Sequence, residues 1–182
     1  MKFTETTLAG AFTVDPEWVQ DHRGFFARTW CRREFAEHGL NSDLVQCSVS
    51  FNKRSGTVRG MHYQIAPYQE VKLIRCTHGA IYDVLIDLRP ESPTFTQYMA
   101  VVLSADNRTM LYVPHGMAHG FQTLEDNTEV FYQMSEFYAP EYARGVRWDD
   151  PAFGIAWPPA TRIILARDRN YPDFCPHKMI AT

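Results

Sequence analysis

The sequence predicts an all-β protein: an antiparallel sandwich or barrel carrying one or a few short helices. Three observations predict it. Short runs rich in β-branched and aromatic residues recur through the middle of the chain. Clusters of turn-forming residues separate them, as in sandwiches and barrels. Only one stretch carries both the start and the stop signals of a helix.

That helix comes first. Thr29 is placed to cap it, Cys31-Arg32-Arg33-Glu34-Phe35-Ala36-Glu37-His38 would follow, and Gly39 would stop it. The predicted strands follow it along the chain. Ile81-Tyr82-Asp83-Val84-Leu85-Ile86-Asp87 is next, closed by the turn-like Arg89-Pro90-Glu91-Ser92-Pro93. Tyr98–Leu103 and Met110–Val113 follow, with Ser104-Ala105-Asp106-Asn107 as the turn between them. Thr128–Met134 is the last clear strand. Beyond it Pro151, Pro158, Pro159, Pro172 and Pro176 break any long element, so this part would wrap the barrel rather than build a second domain.

The bulk properties agree with one domain over residues 1–182, long enough to bury a core. Hydrophobic residues make up 45% and charged residues 21%, an ordinary globular composition. A formal net charge of -3 gives no case for a nucleic-acid partner. No apolar run is long enough for a bilayer, and the first residues lack the order of a signal peptide. Cys31, Cys47, Cys76 and Cys175 are scattered, which suits reduced thiols in the cytoplasm.

Two segments carry the chemistry. The first is Gly56-Thr57-Val58-Arg59-Gly60-Met61-His62-Tyr63-Gln64, followed by Lys72 and Gly79; the second is Pro114-His115-Gly116-Met117-Ala118-His119. Together they resemble the double motif of cupins, jelly-roll antiparallel barrels that build a site inside the barrel. Metal-binding cupins carry two His and a Glu in the first half and one His in the second. Here Gln64 takes the place of one His, and Lys72 stands where the Glu would be. A cation has replaced an anionic ligand, which argues for an anion-stabilising site with no metal and no cofactor.

Alternation along a strand puts His62 and Gln64 on one face, and likewise Glu70 and Lys72. Arg59 has the wrong parity for that face, and Gly60 could permit a bulge that re-aims it. Tyr132 shares its face with Val130 and Met134, placing one hydroxyl on an otherwise apolar face. Taken singly, each has an ordinary structural reading: His62 a satisfied histidine, Lys72 a solvated charge, Tyr132 a core ring, Asp168 a loop carboxylate. His22, His38, His78, His115 and His177 keep that reading. Only the joint spacing lifts His62, Lys72 and His119 above it.

The resemblance extends along nearly the whole chain to the dTDP-4-dehydrorhamnose 3,5-epimerase family. It is carried by Asp21-His22-Arg23-Gly24-Phe25-Phe26, by Val58–Gln64, by Asp83–Arg89 and by Ser92-Pro93-Thr94-Phe95. Leu103–Asn107, Pro114–Phe121, Tyr138-Ala139-Pro140 and Trp148-Asp149-Asp150-Pro151 continue it in order. The resemblance implies a nucleotide-linked 4-keto-6-deoxy sugar as substrate and a homodimer with exchanged N-terminal strands. It implies His62 as general base, Asp168 as its orienting partner, Tyr132 as proton donor from the opposite face, and Lys72 as enolate stabiliser. Arg59 and His119 would line the sugar and diphosphate region, and Arg23 would contact the nucleotide phosphate. Gln46, Ser48, Gln64, Glu70, Tyr138 and Arg167 complete the expected substrate-binding set.

The chemistry fits these roles independently. A proton beside a carbonyl is removable only if the enolate charge is stabilised, and a fixed ammonium does so without a metal. His is a base suited to neutral pH, and inversion needs loss from one face and return to the other. The chain departs from the family pattern at Arg28 (usually Glu), Cys47, Ser48, Val49, Glu70 (commonly Gln), Ala143 (Glu) and Arg167 (Lys). Thymidine is the default base, with cytidine or another as alternative. Three other readings compete: a single-carbon epimerase or keto-isomerase, a non-catalytic sugar-nucleotide-binding module, and, weakest, a metal-dependent oxygenase.

Overall fold

The structure, a computed structural model, describes residues 1–176. His177 therefore lies outside the described residues. Its strands are β1 (Lys2–Glu5), β2 (Phe12–Asp15), β3 (Trp18–Asp21), β4 (Gly24–Ala27), β5 (Gln46–Asn52), β6 (Thr57–Gln64) and β7 (Lys72–His78). They continue with β8 (Ala80–Asp87), β9 (Tyr98–Ser104), β10 (Met110–Val113), β11 (Met117–Thr123), β12 (Thr128–Met134), β13 (Ala143–Gly145) and β14 (Ile163–Ile164). The α-helices are α1 (Arg32–Glu37) and α2 (Ala166–Arg169), and Pro140–Tyr142 forms a 3-10 turn.

One six-stranded sheet runs β1-β2-β10-β7-β12-β5 and a second runs β13-β6-β11-β8-β9, with β14 added parallel to β6. The hairpin β3–β4 stands apart. This antiparallel, cupin-like fold is the one the sequence predicts. The expected strands at 81–87, 98–103, 110–113 and 128–134 are β8, β9, β10 and β12.

Inward residues of both sheets meet in one apolar cluster. Ile74, Leu111, Val113 and Val130 from the first face Leu85, Leu103, Met117 and Phe121 from the second. Burying a side chain of this size contributes about 2 kcal/mol. A second cluster lies on the outer side of β8 and β11, where Val84, Ile86 and Ala118 are covered by Val146, Phe153, Trp157 and Phe174. The proline-rich C-terminal part thus wraps the second sheet. A third cluster seats Phe35 of α1 against Val14, Leu73, Met110 and Tyr112.

The helix differs from expectation at its start. Cys31 occupies the N-cap position with no side-chain cap, so Thr29 does not cap it. Its packing through Phe35 supplies what the cap does not. Gly39 does end it, at φ 70°, with its N–H donating to Ala36 O. His38 stacks on Phe3, and His78 bonds to Asn127 O through Nδ1, both ordinary structural contacts. No helix among the described residues is long and apolar enough to cross a membrane.

Candidate active site

The site begins with a bulge in β6. His62 pairs with His119 of β11, but Arg59, three residues earlier, pairs with Phe121, only two residues on. The extra residue falls at Gly60–Met61. Gly60 has φ 135°, and a Cβ there would lie 2.5 Å from Gly120 Cα, so only glycine fits. The bulge corrects the parity of Arg59, and both Arg59 and His62 line one cavity of about 760 Å³.

His62 Nε2 lies 2.8 Å from Asp168 Oδ1. Asp168 sits in the single turn of α2, buried against β6, where it also accepts from Gly60 N and Arg167 Nε. Burial raises the Asp168 carboxyl, but bonds from His62, Gly60 and Arg167 outweigh it and hold it below the usual range. A second such pair stands beside the first: His119 Nε2 lies 2.6 Å from Asp83 Oδ1. Asp83 is fully buried in β8 and its Oδ2 has no partner among the described residues. Burial pushes its carboxyl up, against the opposing pull of His119 and Lys72.

The other wall comes from the first sheet. Tyr132 of β12 faces inward, its ring 5.9 Å from that of His119. Burial, reinforced by Asp83 and opposed by Arg59, drives its phenol well above the ordinary value. Arg59 is the cation that favours its ionised form. Lys72 of β7 pairs with Glu70 at 3.0 Å and donates to His62 O at 3.4 Å. Gln46, Ser48 and Ser50 of β5 face the same space.

Of the expected site residues, the structure brings His62, Asp168, Lys72, Tyr132, Arg59, His119, Gln46, Ser48, Glu70, Tyr138 and Arg167 to this one cavity. It leaves two outside. Gln64 lies behind the wall with its amide fully used: Nε2 donates to Tyr68 O and Phe137 O, and Oε1 accepts from Ala139 N. It ties down the loop that carries Tyr138 and lines a smaller adjoining pocket with His62, Glu70 and Tyr138. Arg23 is in the exposed turn of the β3–β4 hairpin, paired with Asp21, and is not on the cavity wall of its own chain. Among the altered positions, Ser48 alone of Cys47, Ser48 and Val49 points into the cavity, while Arg28 pairs with Glu34.

Sequence reasoning missed three participants. Asp83 carried a readable signal, a carboxylate within an apolar run on the same face as Leu85. Asn52, whose Oδ1 accepts from Arg59 Nε at 2.7 Å, carried none. Tyr171 lies 6.3 Å from the His62 ring and against Gly145, where a Cβ would be 2.3 Å from the Tyr171 ring. Among the described residues, no group of three or more His, Cys, Asp or Glu is arranged to hold a metal ion.

The family model described as dTDP-4-dehydrorhamnose 3,5-epimerase matches residues 5–175. The chain belongs to that family. It is 42% identical to the dTDP-4-dehydrorhamnose 3,5-epimerase of Methanothermobacter thermautotrophicus, over 93% of this chain and 92% of the relative. It superposes on the crystal structure of the Bacillus anthracis enzyme with TDP and PPi bound, at TM-score 0.91 and 40% identity, covering 95% of this chain and 99% of the other. A 3'-monoepimerase from Streptomyces bikiniensis in complex with dTDP-quinovose superposes at TM-score 0.87 and 31% identity, covering 97% and 89%.

Proposed function

We propose that this protein is an isomerase that inverts C3 and C5 of a nucleotide-linked 4-keto-6-deoxyhexose, of the type dTDP-4-dehydro-6-deoxyglucose to dTDP-4-dehydrorhamnose. One observation carries the reading: an Asp-paired His on one wall of the cavity faces a half-buried phenol on the other. His62 takes the proton from carbon beside the C4 ketone, and the C–H electrons pass into the enolate, with charge on the C4 oxygen. Asp168 accepts from the ring N–H, fixes the tautomer and offsets the imidazolium that forms. Lys72 and Arg59 supply the positive field that the enolate oxygen needs. Lys72 does so from an ion pair with Glu70, which positions the ammonium and tempers its charge. Tyr132 then returns a proton to the opposite face. Its raised pKa keeps the phenol protonated through neutral and mildly alkaline pH.

Residues 1–182 act as one epimerase domain in this reading, and the enzyme works as a homodimer in the cytoplasm. The β3–β4 hairpin supports the dimer: Val19 and Phe26 are 74% and 76% exposed, an apolar surface unusual for a monomer. A hairpin reaching a second copy would carry Arg23 toward the partner's cavity. The free thiols of Cys31, Cys47, Cys76 and Cys175 suit a reducing compartment.

A single-carbon epimerase is the second reading, favoured by the close superposition on the 3'-monoepimerase. Incubation with dTDP- and CDP-4-keto-6-deoxyglucose in D2O, followed by NMR, separates the two. Deuterium and inversion at both carbons of the dTDP sugar support the first; inversion at one supports the second; no exchange with either contradicts both.

A further inference from the structure

Arg167 touches both members of the pair beside it. Its Nε donates to Asp168 Oδ1 at 3.1 Å, and its Nη2 lies 3.3 Å from His62 Nε2. That same ring nitrogen lies 2.8 Å from that same Oδ1. The two contacts make opposite demands on Nε2. Toward the carboxylate it must carry a proton. Toward a guanidinium, which has only donors, it must present a lone pair. In this position Arg167 shares the charge of Asp168 and sets a permanent cation against the ring, both of which oppose a strong His62–Asp168 bond. It is also the partner with room to move: its side chain is 56% exposed, while that of Asp168 is 3% exposed.

We propose that Arg167 is a positioning residue that holds the His62–Asp168 pair at rest until the diphosphate of the substrate draws the guanidinium away. The inference rests on the epimerase reading and deepens it. Arg167 lines the same cavity as His62, and a planar guanidinium pairs bidentately with phosphate oxygens. Once it does so, Asp168 Oδ1 is left to His62 alone. Nε2–H is then fixed as the donor, and Nδ1 keeps the lone pair that takes the carbon-bound proton. Base strength becomes coupled to diphosphate occupancy.

The other charged or titratable groups around His62 do not duplicate this. Lys72 and Glu70 hold each other, His119 is held by Asp83, and burial keeps the Tyr171 phenol protonated. The family pattern has Lys at this position, a point charge without the fork that makes both contacts at once.

The test reads the His62 ring by nitrogen-15 NMR near pH 8, without turnover, in wild type and Arg167→Ala, each with and without inorganic pyrophosphate. Loss of the signal in His62→Asn assigns it. In wild type the Nε2 signal should lie between the lone-pair and N–H positions, and pyrophosphate should move it to the N–H position. In Arg167→Ala it should stand at the N–H position before pyrophosphate is added, and stay there. Arg167→Met, which keeps the apolar stem, gives the same reading if truncation disturbs the fold. Identical spectra in wild type and variant, or an equal response to pyrophosphate in both, would overturn the proposal. An active epimerase with that result would contradict the coupling alone. A protein that shows the coupling but leaves keto sugars untouched would contradict the epimerase reading.

Discussion

His62 is one-third exposed at its side chain, while Asp168 behind it is sealed at 3%. That division suits a base that must reach a substrate and a carboxylate that must stay unsolvated to orient it. His62→Ala should therefore lower epimerisation by at least ~10²-fold, the lower range for a positioned acid–base group. Asp168→Asn should impair it too, through the tautomer of the ring. Rate measurements on variants with unchanged circular dichroism check both; wild-type turnover in His62→Ala would remove it from the chemistry. At this scale the motif spacing revealed His62, Lys72 and His119, and the family resemblance added Asp168 and Tyr132. Tyr171 was invisible because its place depends on the missing side chain of Gly145, a tertiary contact with no local signal. The bonds of Gln64 were hidden because parity gives the face of a side chain, not whether neighbouring backbone already uses its amide.

Among the elements, β6 depends on its bulge. A side chain at Gly60 meets the backbone of Gly120 and must hold a φ reserved for glycine. Gly60→Ala should cost about 2–3 kcal/mol and displace Arg59 and the Gly60 N–H that bonds Asp168. The urea midpoint and the exchange rate should fall together; a variant as stable and active as wild type would contradict this account of the bulge.

The end of β8 carries a different dependence. Asp87 is fully buried, and although burial raises its carboxyl, bonds from Arg89, Ser92 and Thr94 hold it at about 2. The unfolded carboxyl titrates at ~3.9, so the contribution, about 2–3 kcal/mol, is complete above that pH and fades as pH falls toward about 2. Asp87→Asn should lose most of it at pH 7 and differ less from wild type at pH 3, as urea unfolding at the two values would show.

Strands with apolar inner faces were legible in the sequence; β5 was not. Its inward residues Gln46, Ser48 and Ser50 are polar because inward is the cavity, while Val49 and Phe51 point out, exposed. This inverted pattern hides a strand from hydrophobic reasoning. The single turn of α2 was too short to signal at all.

Across the whole molecule, the exposed apolar residues of the β3–β4 hairpin and the outward face of β5 predict self-association. Sedimentation at micromolar concentration should give a dimer, and Phe26→Asp should shift it toward monomer; a monomeric wild type would contradict the assembly. The all-β class was legible in the sequence because β8, β9, β10 and β12 carry local strand patterning, and the cupin-like motif halves pointed to a barrel. Which strands face each other depends on long-range pairing, such as β2 with β10 and β5 with β12, and no window of sequence shows that. The facing of two sheets is also what sets a base against an acid. Tyr132→Phe tests that arrangement most directly, since it removes one hydroxyl and keeps the ring. In D2O, with dTDP-4-keto-6-deoxyglucose, the variant should still wash deuterium into the sugar through His62 while forming little inverted product. Inversion at the wild-type rate would contradict the two-wall mechanism.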